Sequence, residues 1–259
     1  MRVDLAWQVI TFLVVAALVA GWVDAVVGGG GLIQLPSLLI GLPEATVPTI
    51  SGTNKISSFA GTLMATGVYL RKVKVNWALA LPLVGSAYVG STIGAGLVTL
   101  MPREAFTPIV LVALVAVGTY TVRRKQMGLE HQPRHSGAKM VALLVAIGIV
   151  VGVYDGFLGP GTGSFFVIGM VALLGYGFLQ ASAMAKLANL TTNLAAIIVL
   201  RHDIDWTIGL AMAAANLTGG FLGAQMAVRF GNAFVRKVFL VVIAILVVRL
   251  GWDTLTILV

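Results

Sequence analysis

Four charged residues of this chain stand inside runs that are otherwise apolar or uncharged. Lys55 lies in "SGTNKISSF" and Lys186 in "ASAMAKLANLTTN". Asp24 lies in "GWVDAVVGGGG" and Asp155 in "GVYDGFLGPGTG", each a few residues before a glycine cluster. An ammonium flanked by hydroxyl and amide groups is suited to hold an anion. Thr53, Asn54 and Ser58 supply such groups near Lys55, and Asn189 and Asn193 near Lys186. The plain alternatives are a Lys that snorkels to the headgroups and polar side chains that bond helix to helix. Two Lys in matching surroundings favour the ligand. The carboxylates either take up protons or pair with the lysines, and both readings stand.

The elements that position these groups are membrane helices. The chain has 259 residues, 59% hydrophobic and 10% charged, with a mean hydropathy of +1.01. A soluble domain carries about 25% charged residues, and a helix needs about 20 apolar residues to cross a bilayer. The sequence predicts an all-α polytopic membrane protein. The net charge of +8 fits basic cytoplasmic loops and gives no reason to invoke nucleic acid. With no Cys, thiol chemistry and Cys-held metals are excluded. His131 and His135 are four apart, but Pro133 between them puts them in a loop, so no metal site is predicted. Met1 to Leu18 lacks a strongly basic start and a clear cleavage site, and reads as a retained first helix.

Ten hydrophobic segments are predicted, at 5–26, 31–40, 49–70, 77–99, 105–122, 139–157, 163–175, 180–200, 206–228 and 233–250. Segments 31–40 and 163–175 are too short to span alone, and each follows a glycine-rich break. The halves repeat. An offset of 131 pairs Asp24 with Asp155, Gly28 with Gly159, Gly30 with Gly161, Ser51 with Ser182 and Lys55 with Lys186. An offset of 129 then pairs Trp77 with Trp206, Gly90 with Gly219 and Gly94 with Gly223. Such duplication is the usual build of secondary transporters. The predicted organisation is a first transmembrane repeat over 1–122, a basic cytoplasmic linker over 123–138 and a second repeat over 139–259.

If each short segment folds back as a hairpin, the repeats are inverted, each a glycine-broken hairpin followed by three spanning helices. Inside loops then hold 11 Lys and Arg against Arg2, Arg103 and Arg201 outside, whereas a parallel four-plus-four layout gives 10 against 4. Charge barely separates the two. Length does better, since residues 5–40 as one helix would reach about 54 Å at 1.5 Å per residue in a core of about 30 Å. Inverted halves with both termini outside are favoured.

Backbone breaks survive at membrane depth only inside protein or along a cavity. Each break starts a helix, and a helix start offers free N–H groups and partial positive charge. Gly29, Gly30 and Gly31 before one short segment, and Gly161, Thr162 and Gly163 before the other, are therefore candidates for anion contact. The alternative is close packing through glycine. Neither run is a nucleotide motif: both lack the third glycine of G-x-G-x-x-G, and no Gly-Lys-Ser/Thr follows. Ser86, Gly90 and Gly94, like Ala215, Gly219 and Gly223, form small-xxx-small faces for helix packing within the chain. Trp7, Trp22, Trp77, Trp206 and Trp252 read mostly as interface anchors.

"GWVDAVVGGGGLIQLPSLL" followed by "GTNKISSFAGT" closely resembles the first-repeat signature of the TauE/SafE sulfite exporter family, and "GVYDGFLGPGTGSFF" with "AKLANLTTN" resembles its second. The resemblance covers nearly the whole chain. It implies a multi-pass inner-membrane transporter of a bacterium or archaeon that moves small sulfur-containing or organic anions such as sulfite or sulfonates. The residues agree: two positive helix starts and two buried Lys suit an anion, and no ATPase motif is present, so transport is secondary. An anion channel using the same site is the alternative. No catalytic constellation, cofactor motif or metal site is present, so an enzyme is not predicted. Partners are the anion and the bilayer, and a homodimer is compatible with the sequence.

Overall fold

The computed structural model describes residues 7–100, 102 and 131–258, with side chains described as far as Val235, and then for Lys237, Val238 and Val241. The predicted segment 105–122, most of the linker, and Arg2, Arg103 and the side chain of Trp252 lie outside the described residues. Those residues hold eight helices and no strand: α1 (Trp7–Val27), α2 (Gly31–Gly41), α3 (Val47–Lys72), α4 (Trp77–Val98), α5 (Gly137–Phe157), α6 (Thr162–Leu174), α7 (Phe178–Leu200) and α8 (Trp206–Leu258). Five stretches are long and apolar enough to cross a membrane: α1, α4, α5, α7 and Trp206–Val235 of α8. Side chains such as Val150, Leu81 and Leu222 face outward from them. α3 is long enough at 26 residues; the polar run around Lys55 lowers its hydropathy.

Helix starts follow local chemistry. Thr46 caps α3 with its hydroxyl, which accepts from Thr49 N at 3.3 Å, and Pro48 sits in the first turn, where its missing N–H costs nothing. Asn76 caps α4 through Ala78 N at 3.1 Å. Asp205 caps α8 through Ile208 N at 3.0 Å. The break predicted between segments 206–228 and 233–250 is different in the structure: helix continues on both sides of a single kink at Gly231 (φ 71°, ψ −162°). Only glycine takes that backbone without strain, so one residue does the work expected of a longer loop.

The short helices fold back on their neighbours. A Cβ on Gly30 would meet Ala20 and Asp24, and one on Gly41 would meet Leu13, so α2 runs antiparallel to α1. Tyr154 stacks edge-on against Phe165 and Gly169 faces Ile147, so α6 runs antiparallel to α5. Both small-xxx-small faces pack within the chain. A Cβ on Gly94 would lie 2.1 Å from Val153 O, and one on Gly219 2.0 Å from Leu18 O; α4 thus lies against α5, and α8 against α1. α3 and its repeat counterpart α7 are antiparallel: Gly52 faces Leu200 and Ile204, whereas Lys74 and Asn76 share a small pocket with Gln180 and Met184.

The buried apolar residues form two cores. One joins α6 (Phe166, Met170) to Tyr69 of α3 and Met184 of α7. The other joins α2 (Leu35, Leu38) to Leu13, Ile50, Leu200 and Met212. Along α3, Lys55 lies between Ile50 of the second core and Ala65 and Tyr69 of the first. Trp7, Trp77 and Trp206 begin α1, α4 and α8 and are exposed, as anchors are. Trp22 is not an anchor: it is half-buried, and its Nε1 lies 3.3 Å from Met226 S. His131 stacks on Tyr176, and its Nδ1 accepts from Gly177 N.

Candidate anion-binding site

The two glycine breaks meet tip to tip. Ser164 N donates to Gly28 O at 3.1 Å, and Ser164 Oγ to Val27 O at 2.8 Å. A Cβ on Gly163 would lie 2.4 Å from Gly28 Cα, and one on Gly31 3.2 Å from Pro160 Cα. Glycine is required here for approach as well as for φ, which is +81° at Gly28 and +84° at Gly159. The hairpins α1–α2 and α5–α6 thus hold each other by their turns.

Each lysine crosses to the other half. Lys55 Nζ donates to Asp155 Oδ2 at 2.6 Å and to Asp155 O at 2.8 Å. Lys186 Nζ donates to Asp24 Oδ2 at 2.8 Å and also to the Asp24 carbonyl. The end of a helix repels a carboxylate and attracts a cation, and it leaves carbonyls unpaired. One ammonium answers both needs, which is why Asp is tolerated near the ends of α1 and α5. Lys55, Asp155 and Lys186 are almost fully buried, and Asp24 is 13% exposed. Asp24 also accepts from Gly30 N at 3.3 Å. The start of α2 therefore already faces a carboxylate of the protein itself.

A cavity lies where these parts converge. Of the predicted residues, Gly31, Asn54, Lys55, Ser58, Gly161, Thr162, Gly163, Asn189, Asn193, Asp24 and Asp155 line it. Four others are placed behind its wall. Gly29 and Gly30 carry the first turn of α2, accepting from Leu32 N and from Ile33 and Gln34 N. Thr53 Oγ1 accepts from Asp205 N at 3.0 Å, at the start of α8. Lys186 is engaged by Asp24. Gly28 and Gly159 also line the cavity; the repeat alignment names both, and only their positive φ singles them out. Gln34 was not predicted. It is fully buried and ties α2 to α3, donating to Ser57 Oγ at 2.6 Å and accepting from Ser58 Oγ at 3.0 Å. A lone glutamine in an apolar half-helix was its only signal.

Two buried amide atoms at the cavity have no partner: Asn193 Nδ2 and Asn54 Oδ1. An unmet buried polar atom costs about 1–3 kcal/mol, so such atoms mark a place for a ligand or water. Asn193 occupies the repeat position of Thr62, whose hydroxyl lies 3.5 Å from Asp24 Oδ2. The cavity is about 10 Å³, room for about one water, and it is closed to a polyatomic anion in this conformation.

Long apolar helices, two half-length helices meeting at a buried charged cavity, and a duplicated chain define a multi-pass membrane transport protein. A family model of the sulfite exporter TauE/SafE family matches residues 13–250, and the chain belongs to that family. It is 34% identical over 254 residues to the probable membrane transporter protein ORF9 of Sinorhizobium sp., covering 96% of this chain and 95% of that protein. It is 32% identical over 253 residues to a probable membrane transporter protein of Haemophilus influenzae, covering 96% and 97%. It is 30% identical over 241 residues to the probable membrane transporter protein YfcA of Escherichia coli K12, covering 92% and 88%. No solved structure matches the chain.

Proposed function

We propose that the protein is a secondary transporter of small sulfur-containing or organic anions, such as sulfite or a sulfonate, across the inner membrane of a bacterium or archaeon. The observation that carries this reading is the cavity between the two helix breaks, with Lys55 in its wall and the unpartnered Asn193 amide facing it. The anion sits between the starts of α2 and α6, with Lys55 and Lys186 as its counter-charges and the amides of Asn54, Asn189 and Asn193 as donors, joined by Ser58 when its hydroxyl turns from Gln34 Oε1. Each lysine is already paired, so an incoming anion competes with Asp155 or Asp24. A proton on either carboxylate removes the competitor and frees the ammonium, which couples anion binding to proton uptake. The repeats are inverted and both termini lie outside; the antiparallel course of α3 and α7 supports this. Each apolar core seals the cavity toward one face, and parting them in turn gives alternating access.

Reconstitution into liposomes tests the reading with sulfite, thiosulfate, sulfoacetate, taurine and simple carboxylates. A carrier gives saturable uptake and counterflow of at least one of them. Flux that does not saturate and follows voltage alone would sink the carrier and leave an anion channel.

A further inference from the structure

The proposed transport cycle makes no use of a groove between α3 and α8, at the end of the molecule that carries Lys74 and the segment 131–136. Its volume is about 810 Å³, within the usual range of about 300–1,000 Å³ for ligand pockets. Its wall is apolar: Val68, Phe221 and Leu222 line it, over a floor made by Trp22. Its rim carries Arg71, Lys72 and Arg229, all exposed, and no acidic side chain among the described residues lines it. Arg229 stands 5.6 Å over the ring of Phe230. None of the three cations is in an ion pair among the described residues.

We infer that this groove holds an anionic phospholipid, its phosphate on Arg71, Lys72 and Arg229 and an acyl chain along Val68 and Leu222. The graded lining decides the occupant. The cations close the last turn of α3 and precede the kink of α8, at the depth of headgroups, and the apolar residues lie one to two turns deeper. A free phosphate would meet the rim and leave the apolar wall bare. A zwitterionic lipid would bring its own cation against three others. A second copy on a two-fold axis would face one basic rim with another, a like-charge contact that disfavours association. Anionic headgroups attract basic residues at the cytoplasmic leaflet, the side to which this loop charge points.

Native mass spectrometry of the full chain in uncharged detergent tests this, with phosphatidylglycerol, phosphatidylcholine of the same acyl chains, and glycerol 3-phosphate. One phosphatidylglycerol per chain should be held at least about tenfold more tightly than phosphatidylcholine. Arg71→Gln, Lys72→Gln and Arg229→Gln together should abolish that preference, and Leu222→Trp, which fills the groove, should weaken both lipids. If the triple variant does not fold, Arg229→Gln alone and Leu222→Trp carry the test. Equal retention of the two lipids, or a preference that survives the charge removal, overturns the proposal. So does glycerol 3-phosphate binding as tightly as the lipid, or disulfide-linked dimers of Leu222→Cys, which would give the groove to a second copy.

Discussion

Lys55 and Asp155 are buried, opposite in charge and 2.6 Å apart. Such a pair adds little over packed apolar side chains, yet removing one partner strands the other charge, at about 3–5 kcal/mol. Lys55→Met should therefore lose about that much stability, and Lys55→Met with Asp155→Leu should regain most of it. Equilibrium unfolding in detergent measures both, and equal losses in the single and double variants would refute the account. The stable double variant separates scaffold from site: its anion affinity should fall at least tenfold, about 1.4 kcal/mol. A second prediction concerns the protons. Asp155→Asn keeps an oxygen for Lys55 Nζ and removes the carboxylate that the proposed cycle protonates, so flux should stop following the pH gradient while anion binding survives. Unchanged pH dependence in both Asp24→Asn and Asp155→Asn, with voltage clamped, would leave the carboxylates a structural role. That these four residues need partners was legible in their surroundings, because a charge in an apolar run needs a reason. Which Asp meets which Lys was not: the pairs span 100 and 162 residues, and only the packing of the hairpins chooses between them. The same limit applies to Thr53, whose hydroxyl could have faced the cavity and instead turns to Asp205.

The broken hairpin is the element on which the site depends. α2 has 11 residues and α6 has 13, about 16 Å and 20 Å long, so neither can cross the bilayer and each must end inside it. That much could be read from segment length and the glycine runs. The contact between the two turns could not, because glycine clusters predict close approach without naming the partner. Gly28 shows what the contact demands. Its φ is +81°, and a Cβ there would lie 2.2 Å from the Gly163 carbonyl carbon. Gly28→Ala should cost at least about 2 kcal/mol from strain and overlap. Gly67 of α3 has nothing within 4 Å of an added Cβ, and Gly67→Ala should change stability by less than about 1 kcal/mol. Thermal melting in detergent compares them, and equal tolerance would show that the turns are not held together as described. The kink at Gly231 escaped the sequence reading for a related reason: the polar run around it has loop composition, while the backbone needs only one non-helical residue.

At the scale of the whole molecule the duplication does the organising. The pairings found by repeat offset return as paired contacts: α4 on α5 matches α8 on α1, and Lys55 with Asp155 matches Lys186 with Asp24. Duplicated halves can be set in a membrane in two ways, and the antiparallel course of α3 and α7 supports the one with its axis in the membrane plane. An axis along the normal makes the halves parallel, and an axis in the plane inverts them. The settings differ in which loops share a side. With inverted halves, Lys74 and Ala233 lie on one side, and Glu44 and His202 on the other. In the parallel layout Lys74 parts from Ala233, and Glu44 from His202. All four positions are exposed, and the chain has no cysteine of its own. Single cysteines there, treated with an impermeant maleimide in intact cells and then in inverted vesicles, assign each to a side. Glu44→Cys and His202→Cys should label from the periplasm, and Lys74→Cys and Ala233→Cys from the cytoplasm only. Labelling that places Lys74→Cys and Ala233→Cys on opposite sides would end the inverted arrangement. It would also remove the basis for assigning one apolar seal to each face, because only inverted halves give each face its own hairpin.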